Sequence, residues 1–287
     1  MLSSGIPTKK EYQRLQSEPF FQELLKYSRN FERWCQAKSK STKNYSSKWV
    51  KDPFLQWSRR WEYVYVAQQV LRWATTQPTP LTVIDAGSGY TFFPFYLLQA
   101  NPGLDVDCYD TDPTAGQALQ EASEILGLSP GFRIEDLEGL QQDDNTADIV
   151  YSISVIEHTS NPYKVIDEIN RILKPGGIFV CTFDISFEAG SPMHVRHVEK
   201  LLAHINNVLC PLSDWEHIEF GALPTDNRIV TTGWIAETKA STLPWRHPLL
   251  VWLYDLLRGR PRRTLYRPMT YFCGTFMKKQ TPRTESF

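Results

Sequence analysis

The sequence has no long apolar run, no excess of charge of one sign and few cysteines, and each shortage removes a class of protein. Its most apolar stretch, 248–257, is about half the roughly 20 residues that a helix needs to cross a bilayer, and it leads into Arg258, Arg260, Arg262 and Arg263. Residues 1–10 lack the apolar centre of a secretory signal, so a soluble, cytoplasmic protein is expected. Basic side chains number 31 and acidic ones 32. A protein that grips nucleic acid over its whole surface carries a clear basic excess, so no nucleic-acid partner is expected. The five cysteines, Cys35, Cys108, Cys181, Cys210 and Cys273, are scattered and never spaced as CxxC. That disfavours a disulfide framework and a thiolate zinc site, and it fits a reducing compartment.

What is present is material for a sizeable core: 287 residues, 41% of them hydrophobic. Residues 1–80 read as helical. Apolar positions recur at helical spacing over 11–27, a Lys/Ser-rich loop follows at 38–48, and Asp52-Pro53 opens a second long helix to about 75, which Gln77-Pro78-Thr79-Pro80 breaks. From 81 the pattern changes. Strands at 81–86, 105–110, 133–135, 148–156 and 177–183 alternate with helices at 92–100, 113–126 and 163–173, which implies a parallel sheet covered on both faces. Beyond 184 we expect a helix at 197–206, strands at 217–221 and 228–234, a helix at 248–257 and a last strand at 269–277.

The sharpest motif is Val83-Ile84-Asp85-Ala86-Gly87-Ser88-Gly89, a strand that ends in an acid and a glycine-bearing turn before a helix. The glycines let backbone approach a ligand, and the turn is expected to aim main-chain N–H groups at it. Near Phe92, where a dinucleotide fingerprint carries a third small residue, the side chain is bulky, which speaks against NAD. Asp110 ends the next strand, 21 residues after Gly89, where a carboxylate accepts hydrogen bonds from both hydroxyls of a ribose.

Three further segments complete a set: Ile134-Glu135-Asp136-Leu137; Ala147-Asp148-Ile149-Val150-Tyr151-Ser152 leading to Val155-Ile156-Glu157-His158; and Arg171-Ile172-Leu173-Lys174-Pro175-Gly176-Gly177. With the turn and Asp110 they resemble, over residues 81–185, a class I S-adenosylmethionine-dependent methyltransferase of the type 11-like group. The resemblance implies an α/β, Rossmann-like, doubly wound and mostly parallel seven-stranded sheet. To this we add a helical extension at 1–80 and a helical insertion near the C-terminus, with a cofactor-binding core at 81–185 and a substrate side at 186–287. It also implies S-adenosyl-L-methionine as cofactor. Asp85, Gly87, Ser88 and Gly89 would meet the methionine moiety, Asp110 the ribose with Thr111 beside it, and Asp136 with Leu137 the adenine. Ser152 to Ser154 would lie beside the sulfonium. Methyl transfer then needs mainly in-line placement of a nucleophile.

A hydroxyl acceptor also benefits from a base. His158 follows the fourth strand and is the first candidate. His194, with His197, could face the same pocket, although a helix-entry role is the plainer reading. Relatives with Glu-x-x-Glu-His bind a divalent ion here, but Ser154 replaces the first carboxylate before Glu157 and His158, so no metal is expected. Trp57, Trp61, Tyr63 and Tyr65 cluster before the first strand, where the resemblance implies a segment that covers the cleft; packing against the sheet is the alternative. Arg59 and Arg60 could meet an anion.

The near-neutral total is a cancellation. Residues 1–80 hold 14 basic and 6 acidic side chains, residues 81–190 hold 4 and 18, and residues 191–287 hold 13 and 8; all nine tryptophans lie outside 81–190. A basic, aromatic cover suggests a planar or anionic small-molecule acceptor, methylated first at hydroxyl oxygen, then at nitrogen, with protein or RNA ranked lower. Intact Asp85, Gly87, Gly89 and Asp110 disfavour a binding protein without catalysis. The segment 248–263 has the composition of an interfacial helix, though a lid or core helix is preferred.

Overall fold

The computed structural model describes residues 2–38, 52–213, 215, 218–245, 248–257, 259 and 265–280. The expected loop at 38–48 lies, beyond residue 38, outside the described residues. The helices are α1 (Lys9–Leu15), α2 (Pro19–Lys38), α3 (Arg59–Ala74), α4 (Phe93–Ala100), α5 (Pro113–Leu126), α6 (Pro162–Ile172), α7 (Val195–Val208), α8 (Thr232–Lys239) and α9 (Pro248–Leu257). The strands are β1 (Leu81–Ala86), β2 (Leu104–Asp110), β3 (Gly131–Ile134), β4 (Ala147–Ile153), β5 (Leu173–Ser186), β6 (Leu209–Pro211) and β7 (Met269–Lys278).

They form one seven-stranded sheet in the order β3-β2-β1-β4-β5-β7-β6. Strands β1 to β5 pair in parallel, and β7 runs antiparallel to both β5 and β6. This is the doubly wound, mostly parallel α/β sheet expected from the motifs. Alternation along each strand divides the core. Val83, Ile149, Tyr151 and Val180 pack on one face with Leu24, Phe54 and Val66, while Ile84, Val150, Phe179 and Cys181 pack on the other with Ile166, Ile169 and Leu201. The N-terminal helices therefore share one continuous core with the sheet. Ring contacts carry that junction: Phe54, Tyr63, Phe92 and Phe93 form a chain with centroids 5.0 to 6.0 Å apart, and Phe93 meets Tyr151 of β4 at 5.4 Å.

Four expected elements are corrected. The helix expected over 11–27 is two, because Glu18 precedes Pro19 and a residue before proline is driven from helical backbone. The helix expected from 52 to 75 is also broken: Asp52 caps only the short 3-10 turn Pro53–Leu55, Gln56 is extended, and α3 starts at Arg59. The strand expected at 217–221 is replaced by a 3-10 turn at Phe220–Thr225, with residue 217 outside the described residues. The strand expected at 228–234 is a single bridge from Ile229 to Thr8 followed by α8. The seventh strand is instead β6, whose three residues are too short to show alternation. No helix among the described residues is long and apolar enough to cross a membrane.

Candidate active site

The strand order reverses between β1 and β4, and in an open parallel sheet ligands bind beyond the carboxyl ends of the strands at that point. A cavity of about 770 Å³ lies there. Its lining includes Asp85, Gly87, Ser88, Gly89, Asp110, Thr111, Asp136, Leu137, Ser154, His158 and Tyr63. Residues up to 107 positions apart in sequence, from Pro53 to Ser160, thus meet in one space.

The glycine turn is tightly held. Gly87 has φ +82° and Gly89 φ +51°. The amides of Gly87 and Ser88 donate to the Tyr109 carbonyl at 2.8 and 3.0 Å, and the Gly89 amide donates to Asp110 Oδ2 at 2.8 Å. These three N–H groups are committed within the protein, which corrects the expectation that the turn aims them at a ligand. Gly87 serves close packing instead: a Cβ there would stand 2.4 Å from Val155 Cγ1. Gly87→Ala should therefore cost about 3 kcal/mol, the left-handed backbone and the clash adding. Gly127→Ala, at φ +66° with nothing within 4 Å of its Cβ, should cost only about 1 kcal/mol. Urea unfolding of both variants checks this; equal costs would refute the clash.

Asp110 is fixed from both sides, since its Oδ1 accepts the Asp112 amide at 2.8 Å. Asp136 Oδ1 accepts the Glu138 amide at 2.9 Å, which shapes the turn that presents buried Leu137. Burial pushes the Asp85 carboxyl up to about 8, and the Asp110 charge acts in the same direction.

At the opposite end the wall is the start of α3 with the segment before it, where Gln56, Arg59 and Tyr63 line the cavity. Arg59 Nη1 donates to Glu62 Oε2 at 2.6 Å and also to Ser154 Oγ, which in turn donates to Glu62 Oε1 at 2.8 Å. Ser154 holds φ +50°, a strained value for a residue with a side chain, in the turn that leaves β4. Behind this triad sit Glu157 and Asp184, their carboxyls pushed up by burial and by neighbouring carboxylates. Glu157 Oε1 accepts the Asp184 amide at 3.2 Å, so its side chain turns into the protein while His158 faces the cavity. Burial, helped by Arg59, lowers the His158 pKa below its ordinary 6.5, and no hydrogen bond to its ring is found among the described residues.

Five expected site residues are placed elsewhere. Ser152 is fully buried beneath the turn, donating to the Ala86 carbonyl at 3.0 Å. His194 caps α7, its Nδ1 accepting the Arg196 amide at 3.4 Å. Trp57 packs edge-on against Tyr271 at 5.1 Å, Arg60 lies over the Phe21 ring at 5.8 Å, and Trp61 is buried. Within α3, Arg59 and Tyr63 are four apart and share the face toward the cavity, whereas Arg60 turns toward α2 and Trp61 into the core. Gln56, in extended backbone before the helix, lines the cavity where no helical spacing could mark it, and sequence reasoning missed it. Tyr90, Thr91, Phe93 and Val155 line the cavity too, without a sequence signal of their own.

Comparison with known proteins agrees with this geometry. The methyltransferase domain family matches residues 84–181. A sarcosine/dimethylglycine N-methyltransferase of Aphanothece halophytica is 32% identical over 107 residues, 37% of this chain and 38% of that protein. A ubiquinone biosynthesis O-methyltransferase of Maricaulis maris is 26% identical over 106 residues, 35% of this chain and 39% of that protein. The chain thus spans under two fifths of the length of these relatives. A crystal structure from Galdieria sulphuraria, of a protein provisionally named a sarcosine dimethylglycine methyltransferase, shares the fold with a TM-score of 0.55 and 15% identity, covering 84% of this chain and 99% of that one.

Proposed function

Residues 84–181 being a class I S-adenosylmethionine-dependent methyltransferase domain, we propose that the chain transfers a methyl group from that cofactor to a small-molecule acceptor, at a hydroxyl oxygen. The cofactor supplies an activated methyl on a sulfonium, so the protein has to hold an acceptor in line and take up its proton. The residues present suit it: the acidic lining of Asp110, Glu135 and Asp136 complements a cationic ligand. In this reading Asp110 takes the ribose hydroxyls, Thr111 stands beside it, Asp136 and Leu137 hold the adenine, and Asp85 with the 87–89 turn receives the methionine end.

One observation carries the choice of oxygen: His158 lines the cavity without a hydrogen-bond partner among the described residues, and burial with the Arg59 charge favours its neutral form. A neutral imidazole beside the methyl end is a competent base. Arg59 supports an anionic acceptor. Its three hydrogen bonds all leave from Nη1, so Nε and Nη2 remain for a bidentate partner, with Tyr63 offering a planar face nearby. Methylation at nitrogen is the second reading, favoured by the Aphanothece halophytica likeness.

Calorimetry with S-adenosylmethionine, followed by a mass-spectrometric screen of phenols, hydroxy acids and amines for a single added methyl group, tests the proposal. Binding of cofactor and a product from an anionic hydroxyl compound are expected. Absence of cofactor binding would end the reading, and products from amines alone would move the acceptor to nitrogen.

A further inference from the structure

We propose that α9 docks the protein on an anionic lipid surface. Among the described residues ten large hydrophobic side chains are exposed, and five of them, Leu249, Leu253, Tyr254, Leu256 and Leu257, belong to this single helix. Leu257 is 86% exposed and Leu249 64%. Scattered exposed leucines need no explanation, but four of them, Leu249, Leu253, Leu256 and Leu257, within one ten-residue helix form a patch that calls for a partner.

The patch has a direction. Positions 249, 253 and 257 are four apart and 249 and 256 seven apart, so the leucines share one face. The helix sits on an excursion closed at its base, where the partly buried rings of Trp245 and Tyr266 meet at 6.0 Å against the core. It is short, about 15 Å at 1.5 Å per residue, and so suits a position in the plane of a membrane surface, not across it.

Charge selects the occupant. The sequence around the helix carries Arg246, Arg258, Arg260, Arg262, Arg263 and Arg267, against Asp255 as the one acid between 246 and 267. In sequence the helix is thus flanked on both sides by positive charge, which disfavours a second copy as the occupant and favours an anionic lipid surface.

The test is flotation of the full chain with phosphatidylcholine vesicles that do or do not contain phosphatidylglycerol. Binding to the anionic vesicles, weakened by salt, is expected. The double variant Leu253→Glu, Leu257→Glu should bind roughly tenfold less while keeping the thermal midpoint and S-adenosylmethionine binding of the wild type. Equal flotation on both vesicle types, an unaffected double variant, or a dimer that the double variant dissolves would each overturn the proposal. None of these readouts depends on methyl transfer, so failure here leaves the enzymatic reading untouched.

Discussion

Asp110→Ala is expected to bind S-adenosylmethionine at least a hundredfold more weakly than the wild type. The carboxylate ends β2 at the rim of the cavity, and the amides of Gly89 and Asp112 each hold one of its oxygens at 2.8 Å. Each oxygen keeps a second lone pair for a ribose hydroxyl. Hydrogen bonds to a charged acceptor contribute about 1.5 to 3 kcal/mol each, so the pair amounts to roughly two to four orders of magnitude in Kd. The substitution also releases the Gly89 amide and with it the turn, so some loss is indirect. Asp110→Asn separates the two contributions: it retains one acceptor, and its intermediate affinity would measure the charge. Titration calorimetry beside a thermal melt gives both numbers. An alanine variant that folds and binds within about threefold of wild type would remove Asp110 from the ribose role.

His158→Ala should lower kcat by about a hundredfold to ten-thousandfold on a hydroxyl acceptor, with little change in KM. The ring acts as a base only when neutral. Its pKa is lowered from 6.5 by burial and by Arg59, so the wild-type rate should climb with pH through a value below 6.5 and stay level above it. The variant should lack that rising limb. An amine delivered as the free base needs no such help, so a loss under about tenfold would argue for nitrogen. The kcat profile against pH is therefore more diagnostic than the rate at one pH.

Much of the cavity wall from Asp85 to Leu137 was legible because it is local. The Asp85 to Gly89 turn, Asp110 and the Asp136-Leu137 pair each combine a strand end with the residues just after it, and a strand end is readable from alternation and turn chemistry. Ser152 escaped because its role depends on which way one β4 residue faces. It points under the Ala86 carbonyl, while Ser154, two residues on and past the strand, opens to the cavity.

The opposite wall was much less legible. Trp57, Arg60 and Trp61 have the composition of a pocket wall, yet they pack into the aromatic core beside Phe21 and Tyr271, and Gln56, Arg59 and Tyr63 line the cavity instead. The 3-10 turn that Asp52 caps and the extended Gln56 keep 56 and 57 out of α3, so a single helix from 52 to 75 gave no guide to where these side chains face. His194 likewise has the chemistry of a base and the geometry of a helix cap.

Sequence alone was enough for the doubly wound sheet, the glycine turn and the acid after β2, since periodicity and spacing are properties of contiguous residues. Only the folded chain decided that Glu62, Arg59 and Ser154 form one hydrogen-bonded triad, that Glu157 turns inward while His158 faces the cavity, and that Leu249, Leu253, Leu256 and Leu257 of α9 stay uncovered. Those outcomes depend on side-chain direction and on packing between elements far apart in the chain. Neither is encoded in any one segment.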